Sequence, residues 1–503
     1  MSLKHNLAAN YLGQAWVAIV GLAFLPLYAK YLGTEALGLI GVFTLLQTWL
    51  TLLDLGITPT LNREMARFSA GGHSAQSIAD LLRTLEVVGA ALAVAIAVAL
   101  WAASGYLARN WLQSERLPVG VVAQALAVMG LVIALRFFEG IYRGALLGLQ
   151  RQVFYNTVNA ALATARHVGA AAIVAFFSPT IRAFYLWHGA VSVVAVIALG
   201  IAVHHSLPPT PASPQVSGNA LAGVRRFAGG MLAITCLSLL VSQVDKLLLS
   251  RLLPLGEFGY YTLAATLAGA LSLAVAPILQ TIYPRLVELV TTDDQSRLAA
   301  TYHQGSQLVA VTTVPAMLLL TVFPWGVVYT WSGQGQLATQ TAPLLFPLAL
   351  GTFLNALMWM PYQSQLAHGW TGLTIKINVV AVTIIVPAIL WLVPRYGAPA
   401  AAWLWMALNA AYVLVAIHFM HRRILPGELR RWYVEDIAAP LAGGVLVAML
   451  IAPFAPPPVA GRLLWAAYLA AVGAATAGTA LMLAGALRPR ALLLARRLAH
   501  LEP

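Results

Sequence analysis

Three charged side chains fall inside long apolar stretches of this sequence. Arg166 lies in FYNTVNAALATARHVGAA, and Asp245 and Lys246 lie side by side in SQVDKLLLSR. A charged residue at the centre of a bilayer costs at least about 3 kcal/mol on insertion scales. If these stretches cross a membrane, each charge is expected to face a water-filled cavity or a partner on another helix.

The residues around Arg166 predict one polar face on a helix. Asn156, Asn159, Ala163 and Arg166 are spaced three, four and three residues apart, so they share one side of a helix. A guanidinium group and an amide on this face could bind an anionic or polar ligand, which makes Arg166 and Asn159 candidate substrate-binding residues. The alternative is that Arg166 is held by carbonyl groups of a neighbouring helix.

Asp245 and Lys246 are adjacent and therefore point about 100° apart on a helix, so they are not expected to pair with each other. Asp245 is a candidate gating or ion-coupling residue, as half of an interhelical ion pair or as a proton or cation site. Lys246 lies six residues before Leu252, a distance of about 9 Å along a helix. It either extends towards the lipid surface or adds a cation to the cavity.

A second set of candidates lies at the predicted cytoplasmic mouth. Arg63 and Arg67 are four residues apart, and Arg285 follows Pro284 at the corresponding end of the second half. These three arginines are candidate substrate-binding residues, or else ordinary cytoplasmic anchors of the spans. Asp54, in LLDLGI, is a candidate gating or coupling residue; alternatively it caps a helix end or pairs with Arg63.

The composition requires a membrane around these residues. The chain is 60% hydrophobic and 9% charged, with a mean hydropathy of +0.81, whereas soluble domains carry about 25% charged residues. About 14 apolar runs are long enough to cross a bilayer as helices. They cover 10–30, 36–58, 84–105, 119–141, 153–177, 182–203, 226–250, 258–282, 304–326, 340–366, 372–393, 397–420, 438–453 and 462–486. The sequence therefore predicts an all-α polytopic membrane protein.

The positive charges predict the orientation. Of the 29 Lys and Arg residues, 20 fall on the side of the N-terminus, seven on the opposite side and two, Arg166 and Lys246, inside spans. Since Lys and Arg accumulate on the cytoplasmic side, both termini are expected in the cytoplasm. The formal net charge of +13 then reflects this bias and contact with anionic lipid headgroups. No soluble basic domain is predicted that would bind nucleic acid.

An internal repeat divides the chain into halves. KYLGTEALGLIGVFTLL (30–46) aligns with RLLPLGEFGYYTLAATL (251–267) at an offset of 221 residues, which places Gly38 on Gly259. Six predicted spans separate the copies, so both halves have the same orientation, as in a parallel repeat. The predicted domains are an N-lobe of helices 1–6 (1–203), a cytoplasmic linker (204–224), a C-lobe of helices 7–12 (225–420), and helices 13–14 with a basic cytoplasmic tail (421–503).

Three segments carry a resemblance to a known family. YLGTEALGLIGVF, LLDLGITPTLNREMAR and QVDKLLLSRLLPLGEFGYYTLAATL resemble the Wzx-type polysaccharide flippases of the MATE-like MOP exporter superfamily. The resemblance implies two pseudo-symmetric six-helix lobes around a central cavity, plus two C-terminal helices, working by alternating access. It also implies the cargo, an undecaprenyl-pyrophosphate-linked oligosaccharide carried to the periplasmic leaflet of the inner membrane for assembly of O-antigen, capsule or exopolysaccharide.

Other functions and partners stay open at this stage. A drug or cation antiporter of the same superfamily is one alternative, although it would need several acidic residues in the N-lobe. A membrane-embedded glycan polymerase or ligase is another, but the predicted outer loops are short. No cofactor and no metal site are predicted. Coupling to a proton gradient, a sodium gradient or the membrane potential is open, and a polysaccharide polymerase machinery is a further candidate partner.

Overall fold

The computed structural model describes residues 3–54, 57–218, 239–240, 242–370 and 372–489. Within these ranges every regular element is a helix. Twelve helices are long and apolar enough to cross a membrane, which confirms the predicted all-α polytopic membrane protein. The predicted number of about 14 membrane spans is not confirmed. Parts of the predicted span 226–250, of the predicted linker 204–224 and of the basic tail lie outside the described residues.

The chain forms two compact units, Met1–Gly259 (unit 1) and Tyr260–Pro503 (unit 2). The described helices of unit 1 are α1 (Leu3–Leu32), α2 (Thr34–Leu50), α3 (Ile57–Ser69), α4 (Ala75–Trp111), α5 (Val119–Gly148), α6 (Gln152–Phe177), α7 (Ile181–His204) and α8 (242–252). Those of unit 2 are α9 (Leu255–Thr291, its first turn in unit 1), α10 (Gln295–Val322), α11 (Pro324–Ser332), α12 (Gly335–Ala367), α13 (Gly372–Tyr396), α14 (Ala398–Ile424), α15 (Leu429–Phe454) and α16 (Arg462–Leu483).

The second predicted span is wrong at its end. The predicted span runs from 36 to 58, but α2 stops at Leu50 and a short 3₁₀ turn follows, Thr51–Asp54. A new helix, α3, then begins at Ile57. The reason is the Asp54 carboxylate, which accepts hydrogen bonds from the first turn of α3 and so favours a helix start there.

The two copies of the repeat pack against each other through their aligned glycines. Gly33, with φ of +84°, ends α1 and allows α2 to begin one residue later. A Cβ on Gly38 would lie 2.2 Å from the carbonyl oxygen of Leu255, and one on Gly259 would lie 2.4 Å from that of Thr34. Because Thr34 and Leu255 are also 221 residues apart, this contact within unit 1 is reciprocal. This geometry supports the predicted repeat and its register.

One helix lies at the centre of each unit. In unit 1, α5 packs against α3, α4 and α7, while α1 packs along α6. The apolar core at the predicted cytoplasmic end of unit 1 is formed by side chains including Leu61, Leu85, Ile141 and Leu146. In unit 2, α10 packs against α12, α15 and α16, and α14 packs against α12. The central helices α5 and α10 therefore position the polar side chains of their units.

Candidate functional site

A polar cavity of about 390 Å³ lies within unit 1. Its walls come from α1, from the end of α2 and the start of α3, and from the facing sides of α5 and α6. The lining residues are Val17, Gln47, Leu50, Asp54, Thr58, Ile133, Arg136, Phe137, Glu139, Gly140, Arg143, Tyr155, Asn159 and Arg166. Three guanidinium groups against two carboxylates give this cavity a positive balance of charge.

Helical spacing brings the charged residues of the cavity together. Arg136, Glu139 and Arg143 lie three and four residues apart on α5, so they share one face. On α6, Asn159 and Arg166 are seven residues apart and both line the cavity, as the predicted polar stripe requires. The other predicted members of that stripe contribute differently, since the Asn156 amide donates to the Gln152 carbonyl within α6.

Arg166 is paired inside the protein with Glu139. Its Nη2 lies 2.7 Å from Glu139 Oε2, and the two side chains are only 9% and 11% exposed. The sequence predicted a cavity or neighbouring carbonyl groups around this arginine, and the structure gives it both a cavity and a carboxylate partner. An arginine has five N–H donors, so one ion pair leaves donors that an anionic ligand could use.

Arg136 is held by three neutral groups. It donates to Gln47 Oε1 at 3.0 Å and to His188 Nδ1 at 3.2 Å, and it lies 5.1 Å from the centre of the Phe43 ring. Because Nδ1 of His188 accepts this bond, the proton of that ring is on Nε2. None of these contacts neutralises the guanidinium charge. The position of Arg136 in the cavity wall was not predicted from the sequence.

Asp54 lies in the wall of the cavity and also caps α3. Its Oδ1 accepts hydrogen bonds from the Thr58 hydroxyl at 2.8 Å and the Thr58 backbone N–H at 3.2 Å. Burial raises the pKa of Asp54, while the bonds from Thr58 and the charge of Arg143 act in the opposite direction. This placement agrees with the predicted capping role. The ion partner found for Arg63 is a different residue, Glu64.

Arg63 and Arg67 lie on the exposed face of α3 and are absent from the cavity lining. Arg63 and Arg67 both contact Glu64, at 3.1 and 2.9 Å, and both side chains are more than half exposed. His73 Nε2 lies 2.7 Å from the same carboxylate. Burial acts to raise the pKa of Glu64, but the bond from His73 and the charges of Arg67 and Arg63 outweigh it and lower the pKa.

The remaining predicted site residues lie elsewhere. Arg285, on α9, pairs with Glu288 one turn along the same helix and is exposed. Lys246, on α8, is half-buried and donates to Gln243 Oε1 at 3.2 Å, and Asp245 beside it is half-buried as well. None of these three lines the cavity that contains Arg166. The partner found for Arg166 is Glu139, a carboxylate of α5.

Glu139 and Glu35 are among the buried carboxylates of unit 1 that were not assigned roles from the sequence. Glu139 lies between Arg136 and Arg143 in the sequence and pairs with Arg166. Glu35 accepts hydrogen bonds from the backbone N–H groups of Glu115, Arg116 and Leu117 at 2.7 to 3.0 Å. Each is a charged residue within or beside an apolar run, and that pattern signals a buried partner. Within the described part of the chain, no three His, Cys, Asp or Glu side chains are placed to hold a metal ion.

Comparison with known proteins places the sequence among proteins of polysaccharide assembly. The family described as "Polysaccharide biosynthesis protein" matches residues 3–290 of this chain. A protein of Shigella flexneri named "Putative O-antigen transporter" is 19% identical over 410 residues, which cover 80% of this chain and 94% of that protein.

Solved structures share the fold. "Lipid II flippase MurJ, inward closed conformation" superposes with a TM-score of 0.71 at 11% identity, covering 94% of this chain and 97% of that chain. "Inward-facing conformation of a multidrug resistance MATE family transporter of the MOP superfamily" gives a TM-score of 0.66 at 14% identity, covering 82% of this chain and 96% of that chain. At these identities the likeness is one of fold.

Proposed function

Because the chain belongs to the polysaccharide biosynthesis protein family, we propose that it is a flippase for an undecaprenyl-pyrophosphate-linked oligosaccharide. In this proposal it moves the lipid-linked sugar from the cytoplasmic to the periplasmic leaflet by alternating access. The resemblance to transporters of the MOP superfamily is confirmed by the family match and the shared fold. The chain is a transporter, which removes the glycan polymerase or ligase alternative.

The observation that carries the proposal is the cationic cavity in unit 1. Guanidinium groups bind phosphate oxygens through two parallel N–H bonds, and such charge-assisted bonds are about twice as strong as neutral ones. The cavity contains Arg136, Arg143 and Arg166. The buried Nε atoms of Arg136 and Arg166 have no hydrogen-bond partner in the described part of the protein. A pyrophosphate would accept hydrogen bonds from the guanidinium N–H groups that face the cavity and would neutralise the excess positive charge.

The depth and size of the cavity fit the charged part of such a cargo. Arg143 lies five residues and Arg166 fourteen residues from the ends of α5 and α6 that meet at the 148–152 turn, which corresponds to about 8 and 21 Å of helix. The cavity thus runs from that end of unit 1 towards its middle. Its volume of about 390 Å³ suits the pyrophosphate and an adjoining sugar, while the polyprenyl tail stays in lipid.

The orientation in this proposal follows from the charge bias. With 20 of the 29 Lys and Arg residues on the side of the termini, both termini lie in the cytoplasm of an inner-membrane protein. The cavity then opens towards the cytoplasmic half, where lipid-linked sugars are loaded. Anionic lipids contact the exposed arginines Arg63, Arg67 and Arg285, and a polymerase machinery on the outer side receives the cargo. A proton gradient, a sodium gradient or the membrane potential supplies the driving force.

The cavity chemistry argues against the drug or cation antiporter alternative. The fold of this chain is shared with a multidrug transporter. In the cavity, however, a cationic drug would meet three guanidinium groups and only two carboxylates, one of which is already paired with Arg166. Like charges in a site of low dielectric repel strongly. An anionic head group fits the same surroundings without a further partner.

The test is transport by the purified protein in proteoliposomes that contain an undecaprenyl-pyrophosphate-linked oligosaccharide. A membrane-impermeant glycosidase measures how much sugar reaches the outer face. We expect Arg143→Gln to slow transport about 10- to 100-fold, since a hydrogen bond to a charged group is worth about 1.5–3 kcal/mol. Arg143→Lys should retain part of the rate, because it keeps the charge without the bidentate geometry.

Arg182→Gln is the matched control, because Arg182 is exposed at the start of α7 and lies outside the cavity. It should transport at the wild-type rate. The proposed function would be refuted if the wild-type protein moved no lipid-linked sugar. A wild-type rate in Arg143→Gln would instead remove the cationic cavity from the proposal.

A further inference from the structure

A buried histidine in unit 2 lies between two carboxylates. His303, in the third turn of α10, has Nδ1 at 2.5 Å from Asp436 Oδ2 and Nε2 at 2.9 Å from Glu428 Oε2. Asp436 belongs to the first turns of α15, and Glu428 precedes that helix by one residue. His303 and Asp436 are 1% and 0% exposed, whereas the Glu428 side chain is 31% exposed.

The two short contacts require an additional proton. An ionised carboxylate only accepts hydrogen bonds, and a neutral imidazole has one N–H. A neutral His303 could therefore donate to Asp436 or to Glu428 but not to both. Both bonds form together when each ring nitrogen carries a proton, so that an imidazolium donates to the two carboxylates.

We propose that His303, Asp436 and Glu428 form a proton-binding site in unit 2. The proton is held on the His303 ring, which then joins α10 to the start of α15 through two charge-assisted bonds. Glu428 is the partly exposed member and gives the proton its route from water. Asp436 is the closed end of the site. The ligand is a proton and not a metal, because the described residues offer no group of side chains that could hold a metal ion.

Neighbouring groups fix the far side of the site. Gln307, one turn along α10, donates to Asp436 Oδ1 at 2.9 Å and accepts from the backbone N–H of Ala486 at 2.8 Å. Both oxygens of Asp436 are thereby occupied, one by Gln307 and one by His303. The site thus connects three segments, namely α10, the start of α15 and the residues after α16.

Other titratable groups lie near the site but do not bond to the ring nitrogens of His303. Arg431 Nη1 lies 3.8 Å from Glu428 Oε2, so this carboxylate keeps a positive neighbour when His303 loses its proton. The rings of Tyr302 and His421 lie 5.5 Å apart, and Tyr302 lies 5.4 Å from His303. The remaining titratable residues of the helices packed on α10, and of the end of α14, are Tyr329, Tyr362, His418, Arg422, Arg423, Arg430, Tyr433, Glu435, Arg462 and Tyr468.

The experiment reads the protons directly. The full-length protein, labelled with ¹⁵N-histidine and placed in lipid nanodiscs, is studied by NMR of the ring nitrogens, with His303→Gln assigning the signals. In these spectra a neutral imidazole shows one protonated and one bare nitrogen, whereas an imidazolium shows two protonated nitrogens. We expect both nitrogens of His303 to be protonated. A bare nitrogen on His303 at pH 7.5 would overturn the proposal.

Two variants test whether the carboxylates keep the second proton on the His303 ring. Asp436→Asn removes the buried negative charge and should leave His303 with one bare nitrogen at pH 7.5. If Asp436→Asn does not fold, Glu428→Gln replaces it, because Glu428 is partly exposed and its amide keeps the shape. Glu435→Gln is the control: its carboxylate is 58% exposed and pairs with Arg431, so both protons on His303 should remain. Two protonated nitrogens in the folded Asp436→Asn protein, or in its Glu428→Gln replacement, would refute the site.

Discussion

Removing either partner of the Arg166–Glu139 ion pair should destabilise unit 1, and removing both should restore most of the stability. The pair is short, at 2.7 Å, and its side chains are 9% and 11% exposed. Arg166→Gln leaves the Glu139 carboxylate buried without its cation, and Glu139→Gln leaves the Arg166 guanidinium without its anion. The double variant leaves two amides that can hydrogen-bond to each other.

The size of the effect follows from the burial of the pair. A charge stranded by removal of its buried partner costs about 3–5 kcal/mol, a large part of a folding free energy of about 5–15 kcal/mol. Each single variant should therefore lose about 3 kcal/mol or more. Since the penalty belongs to the stranded charge, the double variant should recover about 2–3 kcal/mol relative to the sum of the single variants.

The measurement combines stability with transport. Unfolding of the purified single and double variants gives the coupling free energy, and the proteoliposome assay gives the rate at equal protein amount. The two measurements separate the two interpretations of Arg166. If the guanidinium contacts cargo, the double variant is stable but transports poorly. If Arg166 only neutralises Glu139, the double variant recovers both its stability and its transport rate.

We expect a stable and poorly transporting double variant, because the cavity would then lack one of its three guanidinium groups. Additive losses of stability would show that the pair contributes no coupling and would refute the reasoning from burial. A stable double variant with the wild-type transport rate would assign Arg166 a purely structural role. Arg182→Gln, at an exposed position, controls for the loss of one arginine from the protein.

Four further predictions concern the start of α3, the ion pairs of Glu64, the repeat contact and α8. Asp54→Ala should cost about 1 kcal/mol of stability through the lost cap, whereas Asp54→Asn should keep both stability and transport. Because the pKa of Glu64 is lowered, its stabilising effect is complete above about pH 4.5 and is lost as the pH falls below that value; amide exchange in α3 should therefore rise in acid. Gly38→Ala places a Cβ 2.2 Å from a backbone oxygen and should cost about 1–3 kcal/mol in thermal unfolding. At α8, Asp245→Asn should impair transport strongly and Lys246→Ala only mildly.

Each of these predictions has a control and a contradicting result. Transport lost in a stable Asp54→Asn protein would give Asp54 a transport role beyond capping. Glu64→Gln should remove the acid dependence of exchange in α3, and an unchanged profile would contradict the ion-pair explanation. Gly269→Ala, with open space around the added Cβ, should be tolerated where Gly38→Ala is not. A transport-dead Lys246→Ala beside an active Asp245→Asn would reverse the roles at α8.

Much of the fold could be predicted from the sequence, because bilayer thickness and the need to satisfy backbone hydrogen bonds leave an apolar run of this length only one structure. The repeat was also readable, since its glycines pair at a fixed offset. The end of the second span could not be predicted from the sequence. An apolar run can continue through LLDLGIT by composition, and only the bond from Thr58 to Asp54 shows that a new helix begins there.

The candidate site was predicted in part. The cost of a charge in an apolar run singled out Arg166, and helical spacing placed Asn159 on the same face, as the structure places it. The arginines of α3 were grouped with them by charge alone, but Arg63 and Arg67 lie on an exposed face with Glu64. Sequence spacing gives the face of a helix and leaves its rotation against other helices undetermined.

The sequence by itself determined that this chain is a helical membrane transporter with an internal repeat and a charge deep in its first half. Only the tertiary structure decided which groups meet. Glu139 lies 27 residues from Arg166 and Asp436 lies 133 residues from His303, on different helices in both cases. Each pairing depends on how two helices are rotated and shifted against each other. That choice is made by packing along their whole length, so no local pattern of residues encodes it.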